Sequence, residues 1–233
     1  GSTPLLMATR KGLSNDGSDS AKYWNEHKPT TKTDKEVTSY SSLIIAGNSP
    51  MGKKLAKEAN DGTLTWKDLN DAKWGLESTS SAAGYMYPSQ WLTENFKHSI
   101  RDLKNTVTMD SYDSAMAQLA SGQIDVMPEY ADARMDDAAK WTTTFGAKES
   151  IWDDTNVIGV TPAIANDGIM VSEKSKIMTA DFKKALSAAI KDMAKTDEGK
   201  KVIAIYSHDG YVDSTKADYK TAIKVANSMS KAN

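Results

Sequence analysis

A chain of 233 residues, 39% hydrophobic and 26% charged, is long enough to bury its own core without staples. Its 29 basic and 31 acidic residues leave a net charge of -2, so there is no basic excess to grip a phosphate backbone, and nucleic acid is not an expected partner. Cysteine is absent, which removes disulfides, thiolate metal sites and cysteine nucleophiles together, and no apolar run approaches the ~18 residues of a membrane-spanning helix.

Gly1-Ser2 looks like a cleavage scar, so a native leader or lipid anchor is expected outside this sequence. Residues 4–13 read as a strand opening into a loop. Residues 14–36 are a polar surface excursion that Tyr23 and Trp24 could tack down. Val37 to Ala46 alternates and then turns apolar, as a strand does, and ends at Gly47-Asn48-Ser49-Pro50. It contains the longest apolar run of the chain, Leu43-Ile44-Ile45-Ala46.

Helix is expected from Met51 to Ala59, a capped helical turn at 65–69, a short strand at 73–76, and helix again over 82–96. Val107 and Met109 mark a strand. Ser111 caps a helix whose apolar face is Tyr112, Ala115, Met116 and Leu119, and Gly122 stops it. Strand at 124–127 and helix at 132–141 follow, then strands around 157–160 and 169–171. Thr179 and Thr196 each cap a helix, and a last helix covers about 219–229. The alternation predicts an α/β fold with largely parallel pairing.

Three stretches carry candidate chemistry. Gly47-Asn48-Ser49-Pro50-Met51-Gly52-Lys53-Lys54 lies between strand and helix as a phosphate loop would. Lys54 stands where Ser or Thr should hold magnesium, and Pro50 removes an amide. A nucleotide-binding enzyme is the alternative that this stretch keeps open. Ser78-Thr79-Ser80-Ser81 precedes a helix, where free amides and the dipole can hold an anion with hydroxyls as neutral donors; the plainer reading is a serine-rich cap. Asp167, in Asn166-Asp167-Gly168, and Glu129 and Tyr130, after the strand ending at Met127, stand at strand ends, where α/β clefts place ligand groups; ordinary turns are the alternative. His27, His98 and His208 are far apart, outside any metal-spaced motif, and read as surface residues.

Taken with Thr65-Trp66-Lys67-Asp68-Leu69, Ser80-Ser81-Ala82-Ala83-Gly84-Tyr85-Met86-Tyr87-Pro88, Ser111-Tyr112-Asp113, Asp125 through Arg134, Asn166-Asp167 and Tyr206-Ser207-His208-Asp209-Gly210-Tyr211-Val212, the chain resembles the phosphate/phosphite/phosphonate-type solute-binding proteins of ABC transporters. The resemblance covers roughly residues 37–225. It implies a two-lobed type II periplasmic-binding fold with the oxyanion between the lobes and crossings near 40–50 and 160–170. Residues 4–47 with 166–233 would form a partial lobe, and 48–165 a complete one. The family's opening strand–helix–strand units find no counterpart.

Carried over, the ligand contacts fall on Thr79, Ser80, Ser81, Tyr112, Glu129, Tyr130 and Asp167. Tyr112 stands where histidine is common, and the family's Thr-Ser positions fall on Ala82 and Ala83. The resemblance implies a non-catalytic, extracytoplasmic binding component that needs no cofactor or metal and docks on ABC-transporter membrane subunits. Asp167, an acceptor only, would favour a ligand bearing P–OH or an ammonium. Self-association through exposed edge strands of the partial lobe is a further expectation, and a truncated core without ligand is the remaining alternative.

Overall fold

The computed structural model describes residues 1–12 and 20–231. The chain divides into two compact units. Gly1–Leu13, Lys32–Tyr40 and Ala165–Lys224 form the first; Ser14–Thr31, Ser41–Ile164 and Val225–Asn233 form the second. Of the described residues, 20–31, 41–47 and 225–231 thus fall in the second unit, whereas the sequence reading groups them with the first.

The second unit is built on a five-stranded sheet in the order Thr106–Thr108, Trp74–Leu76, Val126–Tyr130, Ser42–Ala46, Asn156–Val160. Ser42–Ala46 is buried along its whole length because both faces of the sheet are covered. Leu43 and Ile45 point to one core with Met116, Leu119, Met127 and Trp141. Ile44 and Ala46 point to the other with Leu55, Leu69, Trp74, Trp91 and Leu92. Period-two alternation across a two-sided core leaves no polar position, which explains the apolar run.

Helices supply both layers. Pro50–Asp61, capped by Ser49 and ended by left-handed Gly62, brings Leu55 to the second core. Tyr112–Ser121, capped by Ser111 and ended by left-handed Gly122, brings Ala115, Met116 and Leu119 to the first. Trp24, on the short helix Ala21–Glu26, is buried in that first core, so Trp24 is the tack. Tyr23 instead stacks on the exposed His27 with ring centroids 3.8 Å apart. Beneath Trp24 lies a fully buried ion pair. Arg134 reaches Asp132 at 2.8 Å and the carbonyl of Trp24 at 3.4 Å, and Thr30 donates to Asp132 at 2.9 Å. These hydrogen bonds offset the cost of burying both charges.

The first unit is smaller. Ser2–Thr9 is the central strand, antiparallel to Gly210–Asp213 on one side and Gly168–Ser172 on the other. One buried cluster of this unit is Leu5, Leu6 and Val171, with Leu186 and Ile190 of the helix Ala180–Met193 packed against it; Met7, Ala8, Ala194 and Ile203 are buried as well.

Two expectations need correction. Residues 37–46 are not one strand: Ser39–Tyr40 and Ser42–Ala46 are separate, and the boundary between the units lies between them. Pairing is also not largely parallel. Trp74–Leu76 is parallel to both neighbours, but Ser42–Ala46 is antiparallel to both of its own. Ser42–Ala46 enters the second unit and Asn156–Val160 leaves it, so these adjacent strands run in opposite directions.

Candidate functional site

Six of the seven candidate residues lie in the second unit. Ser81 caps a helix that begins as a π turn, Ala82–Met86, and continues as Tyr87–Phe96. Its Oγ accepts from the Gly84 amide at 3.1 Å, which leaves its O–H free to donate outward. Thr79 and Ser80 are exposed on the turn before it, and Ser80 Oγ lies 3.1 Å from Ser78 Oγ. The first amides of a helix have no partner within it, and the dipole ends positive there. Four hydroxyl-bearing residues, Ser78, Thr79, Ser80 and Ser81, thus directly precede or cap a helix start suited to an oxyanion.

Close packing brings carboxylates to the same place. A Cβ on Gly84 would collide with the side chain of Glu77, so glycine is what lets Glu77 lie over the helix start. Ser42 Oγ lies 2.6 Å from the Ala83 carbonyl and 3.1 Å from the Glu129 carbonyl, tying that helix start to the Val126–Tyr130 strand. Glu129 sits within this strand rather than beyond it, a correction to the sequence reading, and its side chain is buried. Neither of its carboxylate oxygens has a hydrogen-bond partner, and Glu77 Oε1 is likewise buried and unpaired. Burial first, then the neighbouring carboxylates of Asp137 and Glu77, push the Glu129 carboxyl well above the usual carboxylate range. Burial also raises Glu77, with Asp110 adding to it.

Tyr130, in the same strand, is committed to the protein. Its phenol donates to Asp136 at 2.8 Å, and its ring meets Tyr112 edge-on at 5.8 Å. Tyr112 is the first residue of its helix. Sequence reasoning missed Glu77, although it directly follows the strand Trp74–Leu76 and precedes the serine-rich turn, the same kind of position that pointed to Glu129.

Asp167 lies in the first unit and is treated by itself. Its side chain is 79% exposed, and Oδ2 lies 3.2 Å from Nε2 of His208. His208 is not the surface residue that the sequence suggests. Its side chain is only 9% exposed, and its Nδ1 lies 3.1 Å from the Tyr211 hydroxyl. A cavity of about 410 Å³ in this unit is lined in part by Lys11, Ser207, His208 and Asp209.

The stretch Gly47 to Lys54 has its groups engaged. The Gly47 amide donates to the Asp125 carbonyl, Ser49 caps the helix, and Lys54 pairs with Asp68 at 2.7 Å. Among the described residues, no group of three or more His, Asp or Glu side chains could hold a metal ion, and no helix is long and apolar enough to cross a membrane.

Set against known proteins, residues 5–219 match the family described as the periplasmic, phosphonate substrate-binding protein of ABC transporters. The chain belongs to this family, whose members are binding components rather than enzymes. No curated protein matches it. Among solved structures it is similar to a binding protein component of an ABC phosphonate transporter from Pseudomonas aeruginosa, with a TM-score of 0.53 and 14% identity over 98% of this chain and 63% of that one. The chain therefore spans less than two thirds of that relative's length. XAC2383 from Xanthomonas citri, bound to ATP, has a TM-score of 0.63 and 14% identity over 99% of this chain and 71% of its own. PhnD1 from Prochlorococcus marinus, in complex with methylphosphonate, has a TM-score of 0.51 and 16% identity over 83% and 68%. These likenesses establish a periplasmic-binding-protein fold.

Proposed function

We propose that this chain is the extracytoplasmic solute-binding component of an ABC transporter and that it captures a phosphonate carrying an ammonium group. The phosphorus oxyanion is received by the helix start at Ala82, with Thr79, Ser80, Ser81 and Tyr112 as neutral donors. Each hydrogen bond to a charged partner contributes ~1.5–3 kcal/mol, so a few of them suffice for micromolar binding after association costs. Membrane subunits of the transporter are the partner that takes the ligand onward.

One observation carries the ammonium: the buried Glu129 carboxyl has no donor on either oxygen, and the backbone of its strand is tied through Ser42 to a helix start suited to an anion. A bare dianion would meet repulsion from Glu129 and Glu77. A zwitterion places its anion on the amides and its cation on the carboxylates. Tyr130 belongs to the site as a support for Tyr112 rather than as a donor, because its O–H already donates to Asp136.

Calorimetric titration with 2-aminoethylphosphonate, ethylphosphonate, phosphite and phosphate tests this reading. The expected order puts 2-aminoethylphosphonate first. In Glu129→Gln the preference for it over ethylphosphonate should fall about tenfold, ~1.4 kcal/mol. Equal affinity for the two phosphonates in the unaltered protein would remove the ammonium from the proposal, and tightest binding of phosphate would replace the ligand class.

A further inference from the structure

Of the three arginines in the chain, Arg101 and Arg134 have partners for their guanidinium groups and Arg10 has none among the described residues. Arg134 is fully buried on Asp132, and Arg101 donates to the Met229 carbonyl at 3.2 Å. Arg10 follows the strand Ser2–Thr9 and is half-buried; its Nε is shut off from solvent and donates to nothing. We propose that Arg10 is an anion-binding residue of the first unit and that it takes a small oxyanion offering two oxygens to one guanidinium. The proposal concerns this unit alone and does not depend on the reading of the helix start at Ala82.

A guanidinium does not shed its charge in a protein, so a partly desolvated one is stabilised only by an acceptor. Its donors lie in one plane as a fork, which the paired oxygens of a carboxylate, phosphate or phosphonate match. Asp167 is a carboxylate of this neighbourhood, since its charge and that of Arg10 both act on the Tyr40 phenol. It does not neutralise Arg10: its Oδ2 lies 3.2 Å from His208 Nε2 instead.

The base of Arg10 is fixed while its tip is not. Its amide donates to the Val37 carbonyl at 3.0 Å, and its carbonyl accepts from the Val37 amide at 2.9 Å. Asn166 donates from its side chain to the same Val37 carbonyl at 2.8 Å and to the Ala8 carbonyl at 3.0 Å. Three segments of the unit thus clamp the residue, and an arriving anion has only the tip left to order. Tyr40 brings a second donor. Burial raises its phenol ahead of the opposing Arg10 charge, which keeps the proton on the oxygen. The residues after Arg10, Lys11 and Gly12, line the cavity of about 410 Å³ with Lys32, Asp34, His208 and Asp209, so this end of the unit has room for a small molecule.

Three arginines give three Nε–Hε signals in a proton–nitrogen NMR spectrum, and Arg10→Lys assigns one of them by its loss. In the unaltered protein at least one of methylphosphonate, inorganic phosphate and acetate should move the Arg10 signal saturably, and the order among the three names the oxyanion. Chloride at the same ionic strength should leave it in place. The backbone amides of Lys11 and Tyr40 then follow the tightest of the three anions in variants. Arg10→Gln should weaken its binding about tenfold or more, and Arg10→Lys, which keeps the charge without the fork, about three- to fivefold. Tyr40→Phe should weaken it about threefold, and Lys11→Ala less than about twofold. An Arg10 signal that no oxyanion moves overturns the proposal, as does unchanged affinity in Arg10→Gln. Equal losses in Arg10→Gln and Lys11→Ala would replace the site by diffuse surface charge. Equal affinity for 2-aminoethylphosphonate and ethylphosphonate, in contrast, would touch only the ammonium reading of the second unit.

Discussion

At the scale of single residues, Glu129 is a buried carboxyl without a hydrogen-bond partner among the described residues. Its carboxyl is held well above the ordinary range by burial and by neighbouring carboxylates, so the folded protein binds this proton more tightly than the unfolded chain does. Stability from this group is therefore full at low pH and is lost as pH rises from the ordinary carboxylate value of ~4.3 through the raised one. Glu129→Gln should raise the melting temperature of the ligand-free protein at neutral pH. An unsatisfied buried polar group costs ~1–3 kcal/mol, and a charged one more; each kcal/mol is about 2–4 °C for a chain of this length. The gain should shrink toward zero in melts near pH 4. A variant that is less stable at neutral pH would show that Glu129 already has its partners in the ligand-free protein.

The helix start at Ser81 separates capping from binding on one element. Ser81 accepts the Gly84 amide, so Ser81→Ala should cost ~0.5–2 kcal/mol of stability and should also weaken ligand binding. Ser80 is exposed and caps nothing, so Ser80→Ala should leave the denaturation midpoint within error while reducing affinity. Chemical denaturation paired with calorimetry resolves the two, and an unchanged affinity in both variants would return the serine-rich turn to a plain cap. The strand Asn156–Val160 offers a packing test. A Cβ at Gly159 would run into the indole of Trp91, so Gly159→Ala should destabilise the protein by ~1–3 kcal/mol.

For the whole molecule, the two units differ in how much apolar surface they bury. The second has a sheet covered on both faces; the first has a smaller buried core around Leu5, Leu6 and Val171 and a helix, Ala180–Met193, without a single buried side chain. Amide exchange should accordingly be fast throughout Ala180–Met193 and slow in Ser42–Ala46, because local opening tracks buried apolar contact. Equal protection in both would contradict this. Met170, Ile177, Phe182, Val202 and Ile205 are exposed, and all belong to the first unit. An apolar surface of this kind, beside short edge strands, supports the proposal that copies of this chain self-associate through it. Sedimentation over a range of concentrations should then show a mass that rises with concentration and is insensitive to salt; a constant monomer mass would end that proposal.

Much of the element plan was legible because its signals are local. Ser49, Thr65, Ser111, Thr179 and Thr196 all cap the helices their positions announce, and Gly62 and Gly122 take left-handed geometry at helix ends. The run Leu43-Ile44-Ile45-Ala46 announced a strand, and the structure shows that both of its faces are buried. Six ordered stretches pointed to the family. What sequence could not express is which distant segments meet. Strand direction depends on where the chain enters and leaves a unit, so the parallel expectation failed at Ser42–Ala46. Glu77 over Gly84, the unpaired oxygens of Glu129, and the contact of His208 with Asp167, 41 residues away in the chain, all arise from packing between segments. Periodicity and capping are written in neighbouring residues, while burial, desolvation and the partner of a polar group are properties of the folded neighbourhood, and only the tertiary structure decides them.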